Sequence, residues 1–391
     1  MKPAIYIGWT GYGNLGDEAM FEACAARFSG LKWLPFDRWH AQPDAKGFAS
    51  RALRDPKAVL HTLLDELRTG NRLRALLLKP DTEVKEAGAP VAAILAGGTL
   101  INATDEFLIN YRTMRDHLNR PVPVFSCGVK TPDFWAGKGD WQDRTREWVE
   151  LLAELPVVGV RGPLSKQALD AAGARNVEIT GDPAVWFHRP AAPAAARAGR
   201  KRIGVNCGTA KHVWGDLQKV QEEFALLVHR LVKAGHAVEL FAICPEDLAA
   251  CAEVARMANA GVAPPSAALT TYEAFARKVE DFDLIVALKL HAGVLAGCAN
   301  VPFLMVEYQP KCRDFCASIG WEEYNVRSDR ARADELFVMV DGMLGRLEPL
   351  RGRLCKQLCD LKTKFETYCE RLDPILNPET QPHLETAKVA P

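Results

Sequence analysis

The sequence predicts an α/β fold built as two Rossmann-like, doubly wound domains. Three observations carry this expectation. Short apolar runs alternate with amphipathic runs along most of the 391 residues, the rhythm of parallel strands joined by helices. Hydrophobic residues make up 48% and charged residues 25%, the balance of a globular chain with a real core. A Pro/Ala/Arg-rich stretch, PAAPAAARAGRKR (190–202), interrupts the rhythm. It divides a length that holds two domains at about 150 residues each.

The first domain is expected over 1–190. Its strands are AIYIGW (4–9), KWLPF (32–36), VAAILAG (91–97), VPVFSCG (122–128), VVGVR (157–161) and VEIT (177–180). Helices are expected between most of them, as in DEAMFEACAARFSG (17–30) and GPLSKQALDAAG (162–173). Residues 41–90 are polar and read as a helical excursion. A linker at 191–202 leads to the second domain, 203–340. Its strands are IGVNCG (203–208), AVELFAIC (237–244), DLIVAL (283–288) and PFLMVEY (302–308). Closing helices are expected over 341–372, then a frayed tail over 373–391 with little apolar content.

Composition excludes several functions. Lys+Arg 49 balances Asp+Glu 49, so the net charge is zero. A protein that coats nucleic acid needs excess Lys and Arg, and so does a polybasic membrane-surface protein. No run of about 18 apolar residues suggests an integral membrane segment. The opening MKPAIYIGWTGYG reads as a first strand rather than a signal peptide, so a cytoplasmic location is expected. In such a reducing compartment most of the eleven cysteines act as small buried hydrophobes.

GYGNLG (11–16) follows a strand and opens a helix, and Asp37 lies about 20 residues on. That matches a dinucleotide fingerprint, so a nicotinamide enzyme is a rival. However, the helix starts Asp17-Glu18. Carboxylates there suit the helix dipole and repel a pyrophosphate. The loop is expected to present Asn14, Asp17 and Glu18 to a neutral, hydroxyl-rich ligand or to a cation, although Asp17 also suits a plain helix cap.

The denser signal lies at DLIVALKLHAGVLAGCANVP (283–302). Lys289 and His291 sit at a strand end beside a small-residue helix. Ligands of open α/β sheets bind at that edge, and helix N-termini favour anions. VEYQPK places Tyr308 and Lys311 on the neighbouring loop. VVGVRGPLS sets Arg161 at another strand end, where it can grip phosphate or carboxylate. Gly97, Gly98 and Thr99, with Asp182, are expected to line the cleft, Asp182 also serving as a turn cap.

GYGNLGDEAMFEA, AILAGGTLIN, VRGPLSKQALDAAG with TGDPAVWF, and LHAGVLAGCANVPFLMVEYQPKCRDF occur in this order over about residues 4–320. Together they resemble the polysaccharide pyruvyl transferase family. The resemblance implies two Rossmann-like domains facing a cleft, similar to GT-B glycosyltransferases. It implies transfer of pyruvate from phosphoenolpyruvate to a sugar of a cell-surface polysaccharide or its precursor, forming a ketal. The family's histidine maps onto His291. Its arginine two residues earlier maps onto Lys289, a departure that loses the planar bidentate grip. Arg161 and Lys311 match other basic positions of the family.

On this reading Arg161, Lys289 and Lys311 bind the donor, and His291 moves a proton, since an imidazole ordinarily titrates near working pH. The partners are a small anionic donor and a sugar acceptor, with a homo-oligomer also open. No cofactor or metal is required. A zinc site from CRDFC (312–316) and CKQLC (355–359) is conceivable, but two buried helical faces explain those spacings more simply. Trp135, Trp141 and Trp148 fit core packing better than a sugar platform. His188 and His212 are isolated in sequence. The alternatives are a GT-B-like glycosyltransferase using a nucleotide sugar and a non-catalytic glycan-binding protein.

Overall fold

The computed structural model describes residues 1–40, 88–138, 141–190 and 199–377. The helical excursion expected at 41–90, most of the linker and most of the tail lie outside the described residues. Every strand expected above is present, within one to three residues at each end. The first domain contains β1 (Lys2–Ile7), β2 (Leu31–Pro35), β3 (Ala92–Ala96), β4 (Val124–Phe125), β5 (Val158–Val160) and β6 (Val177–Ile179). All pairings are parallel, in the order β2-β1-β3-β4 and β5-β6. A single bridge between Cys127 and Val160 joins the two sets into one sheet. β1 and β3 are apolar almost throughout and buried, as strands covered on both faces must be.

Helices of this domain are α1 (Leu15–Arg27), α2 (Phe36–His40), α3 (Asp105–Leu118), α4 (Pro132–Trp135), α5 (Thr145–Leu152) and α6 (Pro163–Ala171). Asp37 falls in α2, where it accepts from the Tyr12 hydroxyl at 3.3 Å. Trp148 is fully buried against Tyr111, and the Trp141 indole donates to the Asn102 carbonyl at 3.0 Å. Trp135 is half-buried, with the Lys130 ammonium 3.8 Å from its ring and His212 edge-on.

The second domain contains β7 (Arg202–Asn206), β8 (Ala237–Phe241), β9 (Leu284–Ala287), β10 (Phe303–Glu307) and a short β11 (Asn325–Arg327) that the sequence pattern did not reveal. The parallel order is β11-β10-β9-β7-β8. Its helices are α7 (Leu217–Lys233), α8 (Asp247–Ala258), α9 (Tyr272–Val279), α10 (Leu290–Cys298), α11 (Pro310–Ser318) and α12 (Ala333–Leu344). In each domain the strand order reverses beside the first strand, between β1 and β3 and between β7 and β9. Crevices form at the carboxyl ends of strands at such switch points, and here the two crevices face each other.

The chain crosses between domains twice. A 3₁₀ turn, Pro183–Phe187, leaves the first domain toward the linker. The last helix, α13 (Leu347–Leu376), runs from the second domain back onto the first. It continues past 373, where a frayed tail was expected. Leu372 and Leu376 are buried, and Asp373 pairs with Arg27 at 2.7 Å; apolar burial and this pair outweigh the proline at 374 in the final turn. Phe365 packs edge-on against Phe125 at 5.1 Å, and the Tyr368 hydroxyl donates to the Val124 carbonyl. Among the described residues no helix is long and apolar enough to cross a membrane.

Phe365→Ala removes the ring that seats α13 on the first sheet. Its expected cost is about 3–5 kcal/mol, read as a lower denaturation midpoint in urea. An unchanged midpoint would mean that α13 contributes little to the first domain.

Candidate active site

The glycine loop is held by its own helix. Glu18 Oε1 accepts from the backbone N–H groups of Gly11, Tyr12 and Gly13 at 2.7, 3.1 and 3.2 Å, and Oε2 from the Thr10 hydroxyl at 2.8 Å. A carboxylate of the protein thus occupies the N–H cradle that a pyrophosphate would need. Glu18 was expected to meet the acceptor; instead both its oxygens organise the loop. Asn14 caps α1 by accepting from Gly16 N–H at 3.0 Å.

The loop also docks on the second domain. Leu15 N–H donates to the Ile243 carbonyl at 2.9 Å. Gly16 lies directly against the His291 ring: a Cβ there would fall 1.8 Å from Nδ1. The last glycine of GYGNLG therefore serves close packing between domains rather than approach to a dinucleotide.

A buried carboxylate joins the two walls. Asp182 follows β6 and is fully buried. Its Oδ2 accepts from Arg161 Nε at 2.9 Å and lies 3.5 Å from His291 Nε2. Its Oδ1 caps the 3₁₀ turn at Ala184 N–H, 3.0 Å away. Burial alone would raise its pKa, but the His291 and Arg161 charges hold it well below the usual carboxylate range. The contact to His291 is longer than a good hydrogen bond, so it orients the ring chiefly through charge.

Arg161 is 1% exposed. Besides Asp182 it donates to Thr99 Oγ1 at 3.0 Å and to the Gly98 carbonyl at 2.6 Å. Gly97 and Gly98 take positive φ, 68° and 61°, which glycine adopts without strain. The expected donor-gripping arginine thus braces the β3 loop and Asp182. It still borders a small void shared with Thr99, Ser165 and Lys311.

The second domain supplies two cations to the cleft. Lys289 donates to the Thr209 carbonyl at 2.7 Å and lies 3.3 Å from the buried Asp247 carboxylate. Asp247 was not recognised in the sequence; its remaining Oδ2 is buried and has no hydrogen-bond partner among the described residues. The Lys311 ammonium lies 4.9 Å from the Tyr308 ring centre. Among the described residues it has no carboxylate within ion-pair distance. Burial pushes its pKa down to about 8, with Lys289 and Arg161 acting in the same sense. Across the cleft, burial pushes Asp17 up to about 6, against the opposing pull of His291 and Lys311.

A clasp that the sequence did not reveal holds the walls together. Asp314 of α11 accepts from Leu164 N–H, Ser165 N–H and Ser165 Oγ at 2.8, 3.2 and 2.5 Å. It caps α6 across the domain boundary. Nothing in a single sequence distinguishes such a contact from a surface acid.

This cleft, between two parallel sheets with their switch points opposed, defines a GT-B-like protein. Residues 14–310 match the family model for polysaccharide pyruvyl transferases, and the chain belongs to that family. The fold is similar to that of the UDP-bound MnaA of S. aureus, at 12% identity and TM-score 0.55, covering 96% of this chain and 97% of that one. It is also similar to the UDP-GlcNAc 2-epimerase of Neisseria meningitidis bound to UDP-GlcNAc, at 10% identity and TM-score 0.53, covering 95% and 99%. No curated protein sequence matches the chain.

Gly16→Ala is expected to push the His291 ring away from Asp182. Turnover should fall by at least tenfold while thermal unfolding shifts by only a few degrees. Full activity in this variant would show that the packing between loop and ring is dispensable.

Proposed function

We propose that the chain moves pyruvate from phosphoenolpyruvate onto two hydroxyls of a sugar in a polysaccharide or its precursor, giving a pyruvate ketal. One observation carries this reading within the family. His291 and Lys311 of the second domain both pull electrostatically on Asp17 of the first, and among the described residues Lys311 has no carboxylate within ion-pair distance. A small, multiply charged anion matches this arrangement: Lys311, with Lys289 behind it, offsets the donor's phosphate and carboxylate. The glycine loop does not suit a nicotinamide dinucleotide, because Glu18 fills its cradle.

The chemistry distributes over these residues as follows. His291, as the imidazolium, gives a proton to the methylene carbon of the donor. Asp17, as the carboxylate, takes the proton of the first sugar hydroxyl as its oxygen bonds to the central donor carbon. The carbon–oxygen bond to phosphate then breaks, and Lys311 stabilises the departing charge. The second hydroxyl adds to the same carbon and passes its proton to the now neutral His291, closing the ketal and leaving inorganic phosphate. Asp182 touches no reacting atom; it positions His291.

Three arms of one thermal-shift experiment test the donor. Phosphoenolpyruvate should stabilise the protein in a concentration-dependent way by mass action, and a UDP-sugar or NAD should not. Stabilisation by the UDP-sugar alone would favour the glycosyltransferase reading. With phosphoenolpyruvate and a competent acceptor, His291→Ala should release phosphate roughly 10²–10⁴-fold more slowly. Near-wild-type release would remove His291 from its role.

The pH profile follows from two displaced groups. Asp17 acts as carboxylate, which is lost as pH falls through about 6. Lys311 acts as ammonium, which is lost as pH rises through about 8. The profile of kcat/KM should therefore show an acid limb near pH 6, and KM for the donor should rise above about pH 8. Lys311→Met should raise KM for the donor by about 10–100-fold; an unchanged KM would take Lys311 out of donor binding.

A further inference from the structure

His188, isolated in sequence, does not stand alone in the fold. It ends the 3₁₀ turn at the exit from the first domain and is fully buried. Its Nε2 lies 3.4 Å from the Cys359 thiol of α13. The ligand atoms of His188, Cys355 and Cys359 all lie within 4.8 Å of one another. Nine of the eleven cysteines are buried; Cys355 and Cys359 are the two that reach solvent. Cys312 and Cys316 are buried in α11 and do not join this cluster, so the four-cysteine site conceivable from sequence is not assembled among the described residues.

We propose that His188, Cys355 and Cys359 form a zinc(II) site that ties together the two crossings between the domains. Three features argue for a metal over a packing contact. The ring nitrogen Nδ1 faces the Cys298 carbonyl at 3.2 Å. A protonated Nδ1 bonds there and leaves Nε2, which faces the Cys359 thiol with the Cys355 carbonyl also acting on the ring, as the candidate ligand atom; metal-binding histidines are held in this way. The two cysteines are four apart on one helix, so their thiols project from one face. Tetrahedral zinc sets sulfur and nitrogen ligands about 3.6 Å apart. That is close to the separation of Cys359 and His188, and a thiol rotation brings in Cys355. The half-exposed thiols leave the fourth position to water or an external donor. Lys362 donates to the His188 carbonyl at 2.8 Å, which places a cation beside the cysteine pair.

Zinc would pin the start of the linker to the returning helix. Those two strands of chain set how the walls of the cleft meet, so the metal's role would be structural and distant from His291.

The full chain, purified reduced and metal-free, would be titrated with zinc against a chromophoric chelator. About one zinc per chain is expected, with affinity at least tenfold weaker in C355S/C359S and in H188Q. His188 is buried, so a second readout uses the unaltered protein. Zinc should protect Cys355 and Cys359 from alkylation, mapped by peptide mass, and cobalt(II) should give a thiolate charge-transfer band with tetrahedral ligand-field absorption. Equal zinc affinity in folded C355S/C359S would overturn the proposal. So would unprotected thiols in the zinc-treated protein, or a Cys355–Cys359 disulfide that takes up no zinc after reduction.

Discussion

The cleft depends on one buried carboxylate. Asp182 comes from the first domain and touches Arg161 of that domain and His291 of the other. Removing such a charge from water is costly unless it is paired and hydrogen-bonded. Here the guanidinium, the imidazole and the Ala184 N–H together compensate it. In return it fixes three things at once: the arginine that braces the β3 loop, the start of the 3₁₀ turn, and the orientation of the histidine. Breaking one partner leaves a buried charge exposed to the others, so the three are not independent.

Around that carboxylate the domains are held by contacts that all leave the cleft polar. Leu15 bonds to the end of the opposite sheet, Asp314 caps α6, and Gly16 admits the His291 ring. Other charges near the cleft are mostly neutralised locally: Glu18 by the glycine loop, Lys289 by Asp247. Among the described residues Lys311 and Asp17 form no ion pair, and burial moves both toward neutrality. The zero net charge of the chain therefore conceals two displaced groups facing each other across a cleft.

Much of the fold was legible in the sequence because parallel strands buried on both faces are short, apolar and bounded by glycine or polar residues. β11 escaped because Asn325–Arg327 is polar and pairs along one edge only. The end of α13 was misplaced because proline content suggested fraying, while Leu372 and Leu376 are held by tertiary burial. For the site, strand-end position pointed to Lys289, His291, Lys311 and Asp182, and the structure sets these residues at or just after strand ends. What sequence could not supply was pairing. Arg161 and Glu18 read as ligand-facing groups, yet each is engaged by atoms distant or displaced in sequence. Asp247, Asp314 and His188 gave no signal at all, since their partners lie 42, 149 and 171 residues away.

The central claim is that Asp182 acts through His291. A double-mutant cycle in turnover with phosphoenolpyruvate tests it most directly, using Asp182→Asn, His291→Ala and the pair, each first verified as folded. Asn keeps the cap at Ala184 but removes the charge. The account predicts strong coupling, with the double variant little slower than His291→Ala alone. Losses that simply multiply would mean that the carboxylate and the imidazole act separately, and would contradict it.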